Sequence, residues 1–231
     1  MNRTLAEAAV ARSGGVRAPA DRPSQRRSAE EMPGVAWVRA TVTGLQLVRA
    51  AGDENILTFD GYASVTETPY TMYDFFGPYT EIVSAGAFDD TLNRADLDVP
   101  LVIAHDQTRR IARTVNGTLT LSVDDTGLRV QANLDANDQD VAYIAPKLQA
   151  NAETGRALID EMSFAFRIDA GHWSPDYEEY RIDKVDIHRG DVAIVGWGAN
   201  PHTSGGLRAA TRTGNELISE DDLGGYRSLL A

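Results

Sequence analysis

One stretch of the chain reads as an amphipathic strand with a single serine near its middle: Glu161-Met162-Ser163-Phe164-Ala165-Phe166-Arg167-Ile168. Side chains alternate between the two faces of a strand. The large apolar side chains from Met162 to Ile168 therefore share one face, and Ser163 lies on the other. This pattern predicts a strand that packs on a core and presents a hydroxyl on its opposite side. A strand serine is most often only a small residue, so its role depends on what the chain places beside it.

Short alternating runs separated by Gly, Asp and Asn continue on both sides of this stretch, which is typical of a mainly β protein with flanking helices (α+β). Residues Asn116-Gly117 predict a hairpin between 111–115 and 118–123. Helical spacing over 138–149 predicts a helix that Pro146 breaks. The remaining predicted strands cover residues 35–43, 45–50, 56–65, 99–104, 128–134, 180–187 and 191–197.

The predicted strand over 99–104 is apolar throughout, which favours a strand covered on both faces. It ends at His105-Asp106-Gln107. A histidine at the end of a buried strand is often structural. The same position could hold a general base rigidly while letting it reach a cleft.

The bulk composition excludes several classes of function. The 231 residues include 34 acidic and 22 basic residues, for a net charge of -12, which is the wrong sign for broad nucleic-acid binding. There is no cysteine, so no disulfide or thiolate chemistry is possible. No apolar run has the length of a membrane span, and the N-terminus lacks the apolar region of a secretory signal. We expect no nucleic-acid ligand and no membrane association.

The two ends of the chain differ from the middle in composition. Residues 1–34 are rich in Arg, Ala, Ser and Gly with few large apolar side chains, which predicts a disordered N-terminal tail with at most a short nascent helix over 5–12. Residues 206–231 are rich in Gly, Thr and acids and predict a weakly ordered C-terminal tail. The folded domain is predicted to span 35–205.

Four separated segments together resemble one family. They are Gly61-Tyr62-Ala63 with the Gly86-Ala87-Phe88 core of 81–92, Ala104-His105-Asp106, Met162-Ser163-Phe164 with Phe166, and the closing segment 191–201. In order and approximate spacing they are similar to the prohead (capsid maturation) serine proteases of HK97-type tailed phages. The resemblance covers roughly residues 56 to 210. It implies that the predicted folded domain, residues 35–205, is a protease domain.

The chain departs from that family's usual pattern at several positions. Glu161 and Ala165 stand where glycines often flank the serine motif, and Ala104 stands where asparagine commonly precedes the histidine. Asp191 stands where glutamate is frequent, and Trp197-Gly198 where a Phe-Pro pair is frequent. An aspartate keeps the carboxylate but shortens its reach by one methylene.

The resemblance implies an antiparallel β-barrel of the herpesvirus-protease type and a serine peptidase site. Ser163 would be the nucleophile and His105 the base. Asp191 is the first candidate for the orienting acid and His188 the runner-up, because the herpesvirus assembly proteases use a second histidine. Arg167, Arg109 and Arg110 are the candidates for contacting the substrate or for donating hydrogen bonds to the oxyanion. No sequence motif distinguishes among them.

The function implied is cleavage of the major capsid protein and scaffold segment, and of the chain's own termini, inside the immature capsid (prohead) in the host cytoplasm. A homodimer is the expected active form, and no cofactor or metal is expected because no zinc-type ligand spacing occurs. The alternative is a non-catalytic capsid-assembly or scaffold module that keeps the protease fold. A hydrolase of small esters is a third possibility, although there is no Gly-x-Ser-x-Gly elbow.

Overall fold

The computed structural model describes residues 3–23, 27–28, 48–50, 53–196 and 204–207. The predicted strand over 35–43, the closing turn Asn200-Pro201 and most of the predicted C-terminal tail lie outside these residues. The described part is mainly β with few helices, which confirms that part of the predicted fold class.

In chain order the described elements are α1 (Leu5–Ser13), β1 (Arg27–Ser28), β2 (Val48–Ala50), β3 (Asp53–Val65), β4 (Tyr70–Tyr73), β5 (Pro78–Val83), α2 (Asp89–Leu92), β6 (Pro100–Ile103), β7 (Asp106–Arg113), β8 (Leu119–Val123), β9 (Gly127–Asp135), α3 (Gln139–Ile144), β10 (Glu161–Trp173), β11 (Glu179–Val195) and β12 (Ser204–Leu207). Short 3₁₀ turns follow β7 at Thr114–Asn116 and α3 at Ala145–Lys147. The second turn contains Pro146 and ends the helix, as predicted.

The first sheet is organised around the long β10–β11 hairpin. Strand β10 pairs antiparallel with β11 from Glu161↔Val195 at one end to Trp173↔Tyr180 at the other. The other edge of β11 pairs in parallel with β5 near its start and with β6 near its end. Strands β7, β4 and β1 complete this seven-stranded sheet.

The second sheet has the order β12-β3-β9-β8, with β2 also paired to β3. One contiguous apolar core includes side chains from both sheets, among them Phe59, Leu101, Val130, Met162 and Ile194. Met162 and Ile168 are buried, and Phe164 and Phe166 pack against this core. The predicted alternation of the serine strand is therefore confirmed, and all four residues of β6 are buried as expected.

Strand β11 has a bulge of several residues, 187–190, just before Asp191. Ala165 pairs with Asp191 while Arg167 pairs with Asp186, so extra residues bulge out of β11. At Gly190 a Cβ would lie 1.9 Å from the carbonyl oxygen of Ala165. Only glycine allows the two strands to approach this closely, and the close approach fixes where Asp191 re-enters the sheet.

Two sequence predictions about strand pairing need correction. The described strands form two sheets, two of the pairings to β11 are parallel, and no closed barrel is found among them, so the antiparallel barrel is not confirmed. The predicted Asn116-Gly117 hairpin is wrong, because β7 pairs with β6 in one sheet and β8 with β9 in the other. The type I′ hairpin turn that Asn-Gly favours needs positive φ at both central residues, whereas Asn116 is in a 3₁₀ turn and only Gly117 has positive φ, at 75°.

The prediction of a disordered tail over 1–34 does not hold for its described helix. Thr4 caps α1 together with Glu7 in a reciprocal capping box. Ala8, Ala9 and Arg12 of this helix are buried against the first sheet. The composition argument failed because a buried arginine, and not a large apolar side chain, provides the main contact. The predicted helix over 5–12 corresponds closely to α1.

Candidate active site

His105 and Asp191 form a directly bonded pair. Nδ1 of His105 lies 2.7 Å from Oδ1 of Asp191. The carboxylate is almost completely buried, with 3 % of its side chain exposed, whereas 39 % of the His105 side chain is exposed. A carboxylate oxygen accepts hydrogen bonds, so Nδ1 is the donor in this pair and Nε2 is the ring nitrogen left for another partner. Such an arrangement can hold a histidine base in one orientation.

The backbone around His105 is strained. Ala104 and His105 have φ values of 54° and 58°, and they form the two-residue turn between β6 and β7. Non-glycine residues adopt this left-handed region at a cost of roughly 1–2 kcal/mol each. The turn and the irregular start of β7 bring the side chains of His105 and Gln107 to Asp191 on β11. Such local strain is common where a fold fixes a functional side chain.

Asp191 has a second partner that the sequence did not indicate as functional. Gln107 Nε2 donates to Oδ2 of Asp191 at 2.6 Å. Arg110 in turn donates to the Gln107 side-chain oxygen at 3.1 Å and to its backbone carbonyl at 2.9 Å. Both carboxylate oxygens of Asp191 are thus engaged, and the Gln107 amide is itself held. No local sequence pattern marked Gln107, because His105 lies in a left-handed turn outside β7 and Asp191 is 84 positions away.

Ser163 is on β10, the strand next to the one that carries Asp191. It is opposite Ala193, and Asp191 is opposite Ala165, so all four side chains share one face of the hairpin. Ser163 and Asp191 are diagonal neighbours, a relationship that separates two positions by about 7–8 Å. The structure records no hydrogen bond between the Ser163 hydroxyl and His105, both of which it describes. Catalytic hydrogen bonds of free enzymes are often loose and shorten when substrate binds.

On the other face of β10, the rings of Phe164 and Phe166 stack with centroids 4.1 Å apart. Phe164 also contacts Phe88, at a centroid distance of 5.6 Å. These contacts hold the strand that carries Ser163 against the core.

His188, the runner-up for the orienting group, and Asp106, the neighbour of His105, occupy other environments. His188 is in the β11 bulge, where its Nδ1 accepts from the backbone N–H of Asp98 at 3.2 Å. Asp106 accepts from the backbone and hydroxyl of Thr108 at 2.9 and 2.6 Å, and these bonds hold its pKa below the ordinary value. Their positions leave Asp191 as the acid that contacts His105.

Each of the three candidate arginines has its own partner. Arg109 pairs with Asp140 at 2.7 Å and lies over the Tyr143 ring. Arg110 binds Gln107, as described above. Arg167 pairs with Asp186 and donates to the carbonyl of His188 at 3.2 Å. Only Arg110 is thereby connected to the His105 and Asp191 pair, through Gln107.

In the described ranges, no three His, Asp or Glu side chains come together as a metal site. Nor does any helix among the described residues have the length and apolarity to cross a membrane.

Comparison with known proteins gives one decisive match. The family model described as caudovirus prohead serine protease matches residues 45–216, which is well over half of the chain. The chain belongs to the caudovirus prohead serine protease family. No curated protein and no solved structure gives a significant match.

Membership of this prohead protease family confirms the resemblance inferred from the four sequence segments. The matched region contains β6, β10 and β11, and so includes Ser163, His105 and Asp191. Within it, Ser163 and Asp191 share one face of the β10–β11 hairpin, and His105 hydrogen-bonds Asp191. This set of groups has the composition that hydrolysis of an acyl bond by a serine requires.

Proposed function

We propose that the chain is a serine endopeptidase of phage head maturation, with Ser163 as nucleophile, His105 as general base and Asp191 as the acid that orients His105. The observation that carries this proposal is the 2.7 Å contact between His105 and the buried Asp191 on the serine-bearing face of the sheet. Family membership supports a protease of the prohead.

In this proposal Nε2 of His105 takes the proton of the Ser163 hydroxyl as its oxygen attacks the scissile carbonyl carbon. The tetrahedral intermediate collapses when His105 returns the proton to the leaving amine, which leaves an acyl-enzyme. Water then attacks the acyl group with His105 again as base, and Ser163 is regenerated. Asp191 stabilises the imidazolium during both steps, and Gln107 holds Asp191 in place.

The proposed substrates are segments of the major capsid protein and the scaffold, together with the chain's own termini. Enzyme and substrates would be enclosed in the prohead, where the high local concentration favours dimerisation by mass action. The acidic net charge of -12 is consistent with a protein ligand in place of packaged DNA.

Co-expression with the cognate capsid and scaffold proteins tests this function. Mass spectrometry is expected to show shortened capsid and scaffold chains with the wild type and intact chains with Ser163→Ala. Ser174→Ala is a matched control, because Ser174 lies in the turn after β10 and hydrogen-bonds Asp176. Identical processing by wild type and Ser163→Ala would exclude the serine mechanism. Assembly of normal proheads without any cleavage would favour the non-catalytic module.

A further inference from the structure

Helix α1 is held on the protein by a fully buried arginine. Arg12 has no exposed surface, although arginine is rarely buried without a dedicated partner. Its Nε and Nη2 donate to the two oxygens of Asp74 at 2.8 and 3.0 Å, a bidentate geometry that a guanidinium suits and an ammonium does not. The Asp74 side chain is also buried, with 1 % exposed.

Backbone carbonyls bind the rest of the guanidinium. Nη1 donates to Tyr177 at 2.7 Å, and Nη2 donates to Pro78 at 3.1 Å and to Gly77 at 3.3 Å. The Arg12 side chain therefore has an acceptor on each of its three nitrogens.

Aromatic rings complete this pocket. The guanidinium carbon lies 4.6 Å from the centroid of Trp173 and 5.3 Å from that of Tyr79. The two rings contact each other edge to face at 5.2 Å. We call the site formed by Asp74, Tyr79, Trp173 and the Tyr177 carbonyl the arginine pocket.

Residues far from the N-terminus build the arginine pocket and hold its shape. Asp74 accepts from the backbone N–H groups of Phe76 and Gly77 at 2.9 and 3.1 Å, in the turn between β4 and β5. Tyr177, in the turn between β10 and β11, has φ 60°. The pocket is thus formed by two hairpin tips, and the N-terminus adds only the arginine.

Residues on both sides of Arg12 also contact the surface around the arginine pocket. Arg3 donates to the carbonyl of Phe76 at 2.9 Å, and Ala8 packs on Gly77. Trp173 donates its backbone N–H to Pro19 at 2.7 Å and its indole N–H to Asp21 at 2.9 Å. Farther along, β1 pairs with the edge of β4. We call residues 3–28 the N-terminal arm.

The arginine pocket is remote from the candidate active site. Trp173 and Ser163 lie ten positions apart on β10, which corresponds to about 30 Å of strand. The arm therefore does not take part in the chemistry at Ser163.

We propose that the arginine pocket is a recognition site for the arginine-bearing N-terminal arm of a second copy of this chain, so that exchanged arms join neighbouring subunits. The arm contacts the body through a pocket and a sheet edge, which are two interactions that work equally well between chains. Residues 29–47 separate the arm from β2. A segment of this many residues can span at most roughly 60 Å, which is enough to reach an adjacent subunit.

A complementation experiment tests the exchange directly. Arg12→Ala leaves an intact pocket without a competent arm, and Asp74→Asn leaves an intact arm without the pocket charge. Both changes are made in the Ser163→Ala protein, so that no self-cleavage occurs and binding alone is measured. Native mass spectrometry is expected to show at least tenfold more dimer in the mixture than in either variant alone at the same total concentration. A mixture with no more dimer than the separate variants, at low and at high protein concentration, would refute arm exchange.

A peptide of residues 3–23 tests the specificity of the pocket. A fluorescent version is titrated into Ser163→Ala protein that carries Arg12→Ala, whose pocket lacks its own arginine. We expect saturable binding that weakens at least tenfold when the peptide carries Arg12→Lys or Arg12→Ala. Equal binding of the three peptides would overturn an arginine-specific site. Because neither experiment measures proteolysis, their failure would leave the proposed protease function untouched.

Discussion

Gln107 donates to Oδ2 of Asp191 at 2.6 Å, the carboxylate oxygen that His105 leaves free. His105 in the β6–β7 turn and Gln107 on β7 thereby hold the carboxylate from two sides. Gln107 makes no recorded hydrogen bond to Ser163, so we expect it to position Asp191 and not to act on the substrate.

We expect Gln107→Ala to lower kcat about 10- to 100-fold with little change in KM, since a small displacement of a catalytic group has effects of this size. Gln107→Glu should be worse, because it places a second negative charge against Asp191. Thr108→Val is the matched control on the same strand, where Thr108 binds Asp106. A KM effect without a kcat effect would indicate that Gln107 binds substrate instead.

Asp191→Asn keeps the size of the side chain but removes the charge that orients His105. We expect a loss in kcat of about 10³–10⁴-fold, because the amide can donate to Nδ1 and select the wrong tautomer. Asp191→Glu should retain more activity than Asp191→Asn, since it keeps the carboxylate. A wild-type rate for Asp191→Asn on a capsid-derived peptide would exclude Asp191 as the orienting acid and return His188 to consideration.

Ala104 has the backbone conformation that asparagine and glycine tolerate best, with φ 54°. We expect Ala104→Asn to raise the free energy of unfolding by roughly 0.5–1 kcal/mol, because it relieves left-handed strain without the added chain entropy of glycine. Urea denaturation measures this directly, with Ala136→Asn outside the turn as the comparison. A lower stability for Ala104→Asn would show that the turn is not strained at this residue.

The pKa of the Asp98 carboxyl lies below its ordinary value, chiefly because Arg113 donates hydrogen bonds to it at 2.7 and 2.6 Å. A carboxyl with a depressed folded-state pKa stabilises the fold above its unfolded pKa of about 3.9, and this stabilisation is lost as pH falls through the folded-state value. We therefore expect Asp98→Asn to be less stable than the wild type near pH 7, with the difference shrinking below about pH 4.

Denaturation midpoints of Asp98→Asn and the wild type at pH 7, 5 and 3 test whether the difference in stability shrinks as the pH falls. Asp96→Asn is the control, because the Asp96 side chain is 69 % exposed in its pair with Arg94 and its contribution should be small. A difference between Asp98→Asn and the wild type that grows as the pH falls would contradict the assignment.

Gly190→Ala should disturb both stability and activity. Its Cβ would overlap the Ala165 carbonyl, a backbone atom that cannot rotate away. We expect a loss of roughly 2–4 kcal/mol in unfolding free energy, or a shift of Asp191 away from His105 if the strands separate. Gly196→Ala is the matched control just past the end of β11, because a Cβ at Gly196 would have no atom of the described residues within 4 Å. Equal stability of the two variants would show that the close approach at Gly190 is unimportant.

The serine strand and the buried β6 strand could be predicted because both are local patterns: alternation in one and continuous apolar character in the other. The same patterns placed His105 at the end of β6. The bulge that positions Asp191 was not predictable, because the need for Gly190 arises only from the approach of Ala165. Gln107 was missed for a similar reason, since its role depends on a partner 84 positions away.

The N-terminal arm illustrates the limit of composition. Few large apolar residues predicted disorder over 1–34, yet Arg12 finds its partners at Asp74 and Tyr177, which lie 62 and 165 positions away. Such long-range charge pairing leaves no local signal. The hairpin predicted at Asn116-Gly117 was wrong because a strong local turn signal does not determine which sheet each flanking strand joins.

Covalent labelling of the nucleophile tests the central claim most directly. The wild type, His105→Ala and Ser163→Ala are each treated with a fluorophosphonate in the presence of capsid and scaffold proteins, and the adduct is mapped by mass spectrometry. We predict one phosphonyl adduct on Ser163 in the wild type, strongly reduced labelling in His105→Ala and none in Ser163→Ala. Proteolysis by the wild type with no adduct on Ser163, or equal labelling in His105→Ala, would contradict the proposed mechanism.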